Sequence, residues 1–289
     1  MYYGYDFVEV KKKSNNGRNI VLILLVLVAI GGAIYTGIKT AEYVNNQKIE
    51  EARIKEQEQL EEQKRIEEEK KEKEKLKNSQ NLTEEQIQAI ENIYSSEEKR
   101  VFLTFDDGPT TSVTPYILDL LKQENIKATF FVLGNRAKAN PDLIKREFEE
   151  GHYIANHGYT HKYSSIYTNT QTVLDEYNYT EERIQEALEN PNYHSRVFRF
   201  PGGSVGGYYK AIKKEAKQYL RQNNIASLDL NSLTKDAEGA HTKEALLENA
   251  IATIGNKNSV VILMHDAADK ILTYETLPDL IQYLRENGY

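Results

Sequence analysis

The stretch "VFLTFDDGP", residues 101–109, places two adjacent carboxylates between an apolar run and a Gly-Pro turn. The β-branched and aromatic residues of the run predict a buried strand, and Gly108 with Pro109 predicts the turn that ends it. Asp106 and Asp107 have poor strand propensity and repel each other, so their position needs a reason. An ordinary turn is one interpretation, and a pair of reacting carboxylates is the other.

The alternation of a short β-rich run with an amphipathic or polar stretch continues to the end of the chain. After a helix expected at about residues 114–124, further strands are predicted at "ATFFVLG", "YIANHG", "VFRFPGG", "IASLDL" and "VVILMHD". This pattern predicts parallel strands in a (β/α) barrel or an open doubly wound sheet. We favour the barrel because polar residues end the predicted strands, and barrel rims gather such residues into one site. These residues are Asp106, Asp107, His157, Arg199, Asp229 and His265.

Composition limits the possible functions. The 289 residues have room for one large domain with appendages. A formal net charge of -7 provides no basic field, so nucleic acid is not an expected partner. Cysteine is absent, which excludes disulfides, a cysteine nucleophile and thiolate metal ligands. Any metal ion must therefore be held by His, Asp or Glu.

An apolar segment from Ile20 to Ile38 has no charged side chain and is long enough, at about 1.5 Å per residue, to cross a ~30 Å hydrocarbon layer. We predict a transmembrane helix over residues 19–39. Because basic residues cluster before it, residues 1–18 are predicted to be a cytoplasmic tail and the rest to be extracytoplasmic. A cleaved signal peptide is the alternative, although the run exceeds the usual ~7–15 apolar residues of such peptides. A buried core helix is a third interpretation, but no segment with a complementary apolar face flanks this run.

The segment that follows is dominated by Glu, Lys and Arg. Residues 46–78 contain neither Gly nor Pro, which predicts a solvated helical stalk over residues 40–80 with Glu-Lys pairs four residues apart. A coiled-coil dimer stays an alternative, because the apolar positions do not keep a strict heptad. The sequence "TEEQ" at 83–86 has the form of a capping box and predicts a short helix within an 81–98 linker. Residues 99–289 are predicted to form the catalytic domain.

Two histidines in "HGYTH" provide the spacing of a metal site. His157 and His161 lie four positions apart, so both imidazoles can point the same way on a turn or loop. With no cysteine in the chain, the third ligand must be a carboxylate, and Asp107 is the candidate. Asp106 would then take the proton of a metal-bound water as that water attacks a carbonyl carbon.

Amide hydrolysis also needs a proton for the departing nitrogen. His265 ends an apolar strand and could donate it, with Asp229 of the preceding predicted strand as the carboxylate that tunes it. Arg199 could orient Asp106, and the backbone of Gly202–Gly203 could offer an N–H to the oxyanion. Three of these residues have a plain alternative: His265 as an ordinary strand-end histidine, Asp229 as a turn residue, and Arg199 as part of a surface ion pair.

In this order, "TFDDGP", "HGYTH", "RFPGG", "DLN" and "LMH" resemble the five motifs of the polysaccharide deacetylases, the NodB-homology domain of carbohydrate esterase family 4. The anchored layout resembles the peptidoglycan N-acetylglucosamine deacetylases. The resemblance implies a distorted (β/α) barrel over roughly residues 99–289. It also implies a divalent metal, commonly Zn²⁺, in an Asp-His-His site, and removal of acetyl groups from N-acetylated glycan polymers.

The resemblance also implies a role for each matching residue. Asp106 is the base, Asp107, His157 and His161 are the metal ligands, Arg199 orients the base, Asp229 tunes the acid, His265 is the acid, and Leu263 lines the acetyl pocket. Two positions depart from the family pattern. Leu230 follows the fourth-motif Asp where relatives often have Trp, so the groove would lack an aromatic wall. Gly202 stands where many relatives have Tyr, and a backbone oxyanion donor survives that change.

The sequence therefore predicts an anchored, extracytoplasmic deacetylase of peptidoglycan N-acetylglucosamine. Another acetylated glycan, such as an exopolysaccharide, a chitin oligomer or acetyl-xylan, is the alternative substrate. A non-catalytic stalked surface protein is the alternative class. The remaining histidines, His152, His194 and His241, are predicted to lie on the surface.

Overall fold

The computed structural model of the chain describes residues 16–79 and 81–289. The chain divides into two units, Met1–Lys75 and Leu76–Tyr289. The predicted tail at residues 1–18 lies almost wholly outside the described residues.

One long helix, α1 (Asn16–Ser79), runs through both the apolar segment and the charged segment. Every α1 side chain that the structure describes is exposed. In its charged part, neighbouring turns are joined by ion pairs such as Lys71 with Glu67, 2.7 Å apart. α1 is also the one described helix that is long and apolar enough to cross a membrane by length and composition.

The first helix that lies wholly within the second unit is α2 (Glu84–Glu91), and the predicted capping box is confirmed. The Thr83 hydroxyl accepts a hydrogen bond from the Gln86 amide, and the Gln86 side chain accepts one from the Thr83 amide. The backbone just before α2 is fixed to the unit, since Leu82 exchanges two hydrogen bonds with the Asn224 side chain, at 2.7 and 2.8 Å. α2 is therefore part of the compact unit.

Helices and strands alternate through the rest of this unit, as the sequence pattern predicts. The strands are β1 (Arg100–Asp106), β2 (Thr129–Val132), β3 (Tyr153–Asn156), β4 (Val197–Phe198), β5 (Ala226–Ser227), β6 (Ser232–Leu233) and β7 (Ser259–His265). The helices are α3 (Thr114–Gln123), α4 (Gly134–Ala139), α5 (Pro141–Glu149), α6 (Tyr163–Ile166), α7 (Thr170–Ala187), α8 (Lys210–Gln222), α9 (Lys243–Ile254) and α10 (Ile271–Glu286). The sequence reading missed β6, which has two residues.

All pairings in the sheet are parallel, and the strand order is β5-β4-β3-β2-β1-β7-β6. The order proceeds around the sheet without the reversal of a doubly wound fold. The two end strands, β5 and β6, form no ladder with each other among the described residues, so the barrel is not closed. The predicted distorted (β/α) barrel is therefore confirmed, and the open doubly wound alternative is wrong.

Side chains of the central strand β1 alternate between two environments, as the period of a strand requires. Leu103 and Phe105 join the large core between the sheet and the helices. Phe102 packs on the opposite face, with Phe131 and Val261 of neighbouring strands. Thr104 and Asp106 share the face of Phe102 by their even spacing, and Asp106 ends the strand. This alternation points the first carboxylate of the pair into the barrel.

Candidate metal and catalytic centre

The predicted site residues meet at the carboxyl ends of the strands. Asp106 ends β1 and His265 ends β7, and these two residues are paired in the β1–β7 register. His157 follows β3 and Arg199 follows β4 directly. With Asp107 they line one cavity of about 430 Å³. Parallel strands place these residues together although they are far apart in the chain.

Asp107, His157 and His161 form a group whose potential ligand atoms all lie within 4.8 Å of one another. Asp107 Oδ1 is 3.6 Å from His157 Nε2 and 3.5 Å from His161 Nε2. This carboxylate oxygen is buried and has no hydrogen-bond partner in the protein. A buried, unpartnered carboxylate oxygen facing two imidazole nitrogens fits a divalent cation, for which these are ordinary ligands.

The two histidines reach the site from unusual backbone. Gly158, just after His157, has φ 81°, and His161 has φ 57°, both in the left-handed region. Glu176 of α7 holds the loop by accepting hydrogen bonds from the amides of Tyr159 and Thr160, at 2.6 and 2.7 Å. The histidines therefore lie on a compact loop rather than on a helix.

His157 is oriented by the backbone of the neighbouring strand. Its Nδ1 is 2.8 Å from the carbonyl oxygen of Arg199, which can only accept, so Nδ1 carries the proton. Nε2 is then left with a lone pair that faces Asp107. Burial is the largest influence on the pKa of His157 and, against the attraction of Asp107, lowers it to about 3. His157 is neutral near pH 7, as a metal ligand must be.

Asp106 is buried next to a buried arginine. Arg199 Nη1 donates to Asp106 Oδ1 at 2.7 Å and to the Thr104 hydroxyl at 2.8 Å. The same guanidinium donates to the carbonyls of Leu228 and Asp229 and lies 3.9 Å from the Phe131 ring centroid. Burial raises the pKa of Asp106 above its usual value, and the Arg199 charge opposes this rise. Asp106 is thus a carboxylate of raised basicity with its position fixed.

The carboxylate partner of His265 is Asp236, so the predicted pairing of His265 with Asp229 is wrong. Asp236 Oδ1 is 2.8 Å from His265 Nδ1, and Asp236 Oδ2 accepts from the His265 amide at 2.7 Å. Thr273 of α10 also donates to Asp236, at 2.8 Å. Burial alone lowers the pKa of His265. The hydrogen bond and charge of Asp236, together with Asp106 and Asp107, outweigh burial and raise this pKa to about 9.

Asp229 has a different contact. Its Oδ1 accepts from the Ser204 amide at 3.1 Å, and its Oδ2 accepts from the Ser204 hydroxyl. It therefore fixes the loop after β4. The error arose because the two-residue β6 intervenes, and Asp236 follows β6 rather than β5. The sequence offers only Ser232 and Leu233 of "NSLTKD" as a signal for this strand, and two residues are too few to predict one.

The other predicted pocket residues lie where the sequence suggested. Gly202, Leu230 and Leu263 line the cavity, together with Tyr163 and the residue after Asp236, Ala237. Gly202 has φ 71°, and a Cβ there would lie 2.8 Å from the Tyr163 hydroxyl. The wall at this point is therefore built from a glycine backbone and a tyrosine.

Two further polar residues of the compact unit, Asp266 and His152, are buried. Asp266 stands against the turn after β1, where a Cβ on Gly108 would lie 1.9 Å from Asp266 Oδ2. His152, predicted on the surface, is buried, and its Nδ1 accepts from the Ala128 amide at 3.1 Å. His194 is half-buried and His241 is exposed.

The chain is similar in sequence to known polysaccharide deacetylases. The family model described as polysaccharide deacetylase matches residues 94–222. Peptidoglycan-N-acetylglucosamine deacetylase PgdA of Listeria monocytogenes is 34% identical over 191 residues, which cover 66% of this chain and 37% of that protein. A Bacillus cereus peptidoglycan-N-acetylglucosamine deacetylase is 34% identical over 199 residues, covering 67% of this chain and 68% of that protein.

The fold of this chain is also similar to that of a solved structure. A family 4 carbohydrate esterase of Streptococcus mutans has a TM-score of 0.63 and 31% identity, covering 72% of this chain and 90% of that chain. The compact unit thus has the fold of the family 4 carbohydrate esterases. The chain belongs to the polysaccharide deacetylase family.

Proposed function

We propose that this chain is a metal-dependent deacetylase that removes acetyl groups from N-acetylglucosamine residues of peptidoglycan. The observation that carries the proposal is the meeting of three groups in one cavity: the Asp107-His157-His161 triad, the Arg199-Asp106 pair, and His265, which is paired with Asp236 behind it. The names of the Listeria and Bacillus relatives support the choice of peptidoglycan.

Asp106 is the proposed general base. It lies on the interior face of β1, and its Oδ2 is 3.6 Å from His157 Nε2, so it borders the triad. Arg199 occupies the other carboxylate oxygen, which leaves one oxygen to accept a proton from an attacking water. The raised pKa of Asp106 favours that proton transfer.

His265 is the proposed general acid. With its pKa raised to about 9 it is protonated near pH 7, and its Nδ1 proton is held by Asp236. The free Nε2–H can then be donated to the leaving amine. Because Asp106 and His265 are register neighbours on β1 and β7, the proton acceptor and the proton donor border the same small volume. Acid and base can thus serve one tetrahedral carbon.

Asp107, His157 and His161 would hold the divalent ion, with Zn²⁺ as the best match to two imidazoles and one carboxylate. When bound, the ion supplies Lewis acidity, which polarises the carbonyl oxygen of the acetyl group. The backbone at Gly202–Gly203 borders the same cavity. The Gly203 amide already donates to the Phe200 carbonyl at 2.8 Å, so the Gly202 N–H is the proposed additional donor to the oxyanion. Leu263 and Leu230 provide apolar walls for the acetyl methyl group.

The test is acetate release from purified glycans by the full chain in detergent, with and without a chelator. We expect release from peptidoglycan that stops on chelation and returns with Zn²⁺. Activity on acetyl-xylan alone would contradict the amide substrate, and no release from any glycan would favour a non-catalytic surface protein. Elemental analysis provides a second readout: about one divalent ion per chain is expected, and His157→Ala and His161→Ala should lose it.

We also propose that residues 19–39 anchor the chain in a membrane, with the catalytic unit outside the cell. The apolar, exposed part of α1 supports an anchor, and peptidoglycan lies outside the membrane. Protease digestion of intact cells tests the orientation. The catalytic unit should be lost when protease is added outside, while a tag placed before residue 18 should be protected.

A further inference from the structure

A groove beside the catalytic cavity has no part in the chemistry proposed above. It has a volume of about 700 Å³ and lies between the loop after β4 and helix α8. We call it the α8 groove; its loop side is formed by Ser204, Val205 and Gly206, and its helix side includes Lys210, Lys214, Lys217 and Arg221. Glu91 of α2 also borders it and is paired with Arg221. Gly202 and Gly203 line the catalytic cavity, so successive residues of one loop border the two spaces.

The helix side of the groove is basic. Lys210, Lys214, Lys217 and Arg221 are spaced by four, three and four residues, which places them on one helix face. Arg221 is paired with Glu84 and Glu91 of α2. The three lysines are exposed, and none forms an ion pair with a described residue. They extend over about 10 Å of helix axis.

This arrangement is unfavourable for the helix by itself. Like charges three or four residues apart repel each other. Lys210 also lies in the first turn, where the helix dipole disfavours a cation, and that turn has no acidic residue. A face that combines both effects indicates a role outside helix stability. An anionic ligand would relieve both.

The loop side of the groove adds exposed apolar surface. Val205 lines the groove and is 80% exposed, and Tyr208, three residues further along the same loop, is 93% exposed. Ser204, next to Val205, is buried and donates its amide hydrogen to Asp229. Lys213 ties α8 to the loop by donating to the Gly202 carbonyl at 3.1 Å. The exposed side chains therefore stand on a braced loop, where an aromatic ring can stack against a sugar.

We infer that the α8 groove binds the carboxylates of acidic peptides carried by the glycan strand whose acetyl group occupies the catalytic cavity. The inference rests on the proposed function and narrows it to a peptide-bearing strand rather than a neutral glycan. The position of the groove favours this occupant, because one loop borders both the groove and the catalytic cavity. A substituent of the same strand is held next to the cavity, whereas the groove's concave form does not suit a flat lipid surface.

The test compares three substrates with the full chain in detergent. They are soluble peptidoglycan strands with their peptides, the same strands after an amidase has removed the peptides, and chitin oligomers. The variant is Lys214→Glu with Lys217→Glu. The matched control is Lys138→Glu with Lys145→Glu, which reverses two exposed lysines of α4 and α5 that lie outside both cavities.

The groove variant should lose about tenfold in kcat/KM on peptide-bearing strands, mainly through KM, because two attractions become repulsions. On stripped strands and chitin oligomers, the kcat/KM of the groove variant should stay within about twofold of that of the unaltered chain. The kcat/KM of the control variant should stay within the same range on all three substrates. The loss should shrink at high salt.

Four results would overturn the inference. Equal losses on all three substrates would mean a general effect on the enzyme, and an unchanged rate on peptide-bearing strands would mean an idle groove. Weakened binding to phosphatidylglycerol vesicles, with an unchanged substrate preference, would assign the groove to the membrane surface. If the unaltered chain released acetate from none of the three, the proposed function itself would fail; activity on all three with no peptide preference would remove only this inference.

Discussion

Two ion pairs of equal length show how differently the two units use charge. In α1, Lys71 and Glu67 are 2.7 Å apart with side chains 71% and 67% exposed. In the barrel, Arg199 and Asp106 are also 2.7 Å apart, with side chains 2% and 4% exposed. Water screens the first pair, whereas the second has replaced its hydration by protein contacts. Burial rather than separation decides what a charge contributes here.

The largest expected effect comes from replacing Asp106, the carboxylate of the buried pair. Asp106→Asn keeps the shape and the burial but removes the proton acceptor, so kcat should fall about 10³-fold. Acetate release measures the effect. Glu67→Gln, the matching change in the exposed pair of α1, should leave kcat within about twofold. A loss of less than about tenfold in Asp106→Asn would contradict the role of Asp106 as the base.

The second prediction concerns the arginine of the buried pair. Arg199→Met leaves Asp106 buried without its partner, which should lower the free energy of unfolding by about 3–5 kcal/mol. Urea denaturation followed by tyrosine fluorescence measures it. Lys71→Met should leave the midpoint unchanged, because Glu67 stays hydrated. Adding Asp106→Asn to Arg199→Met should recover part of the loss; if the double variant is no better, the loss is due to packing rather than charge.

The third prediction compares two glycines. A Cβ at Gly108 would lie 1.9 Å from Asp266 Oδ2, whereas a Cβ at Gly37 of α1 would meet nothing within 4 Å. Gly108→Ala should therefore cost about 1–3 kcal/mol of stability, and kcat should fall because the turn carries Asp107. Thermal melting and acetate release check both. Gly37→Ala should leave both measurements unchanged, and equal melting temperatures for the two variants would contradict this packing.

The smallest expected effect is a shift in pH dependence. The pKa of His265 is raised to about 9, so its acid form is present below that pH and is lost as pH rises through it. Asp236→Asn removes the main group that raises this pKa, and the alkaline limb of kcat/KM should move to lower pH by about one unit or more. Asp269→Asn, at an exposed carboxylate that is paired with Lys270, should leave the profile in place. An unmoved limb in Asp236→Asn would show that His265 is not the acid.

Much of the fold was predictable because its signals are local. The apolar runs of β1 and β7 and the alternation with helices predicted a parallel barrel, and Thr83 with Gln86 predicted the start of α2. The assembly of Asp107, His157 and His161 followed from ligand chemistry and from strand ends converging on one rim. These inferences needed residue type and order alone.

What the sequence did not reveal depends on short elements and on burial. β6 has two residues, so the order of strand ends shifted and Asp229 was taken for Asp236. His152 lies among polar neighbours in the chain, and its burial arises from packing that composition does not report. Asp266 lies next to Gly108 in space, although the two residues are far apart in the sequence of the compact unit.

The pairing of Asp106 with His265 across β1 and β7 limits which insertions and deletions the sequence can tolerate. Acid and base are set by strand register, so inserting one residue within β1 would turn every later side chain of that strand to the other face and bring Phe105 into the position of Asp106. Substitutions can accumulate on the outer helices without touching this arrangement. Changes of length are tolerable only in the loops, so the lengths of β1 and β7 are under tighter constraint than the identity of most residues around them.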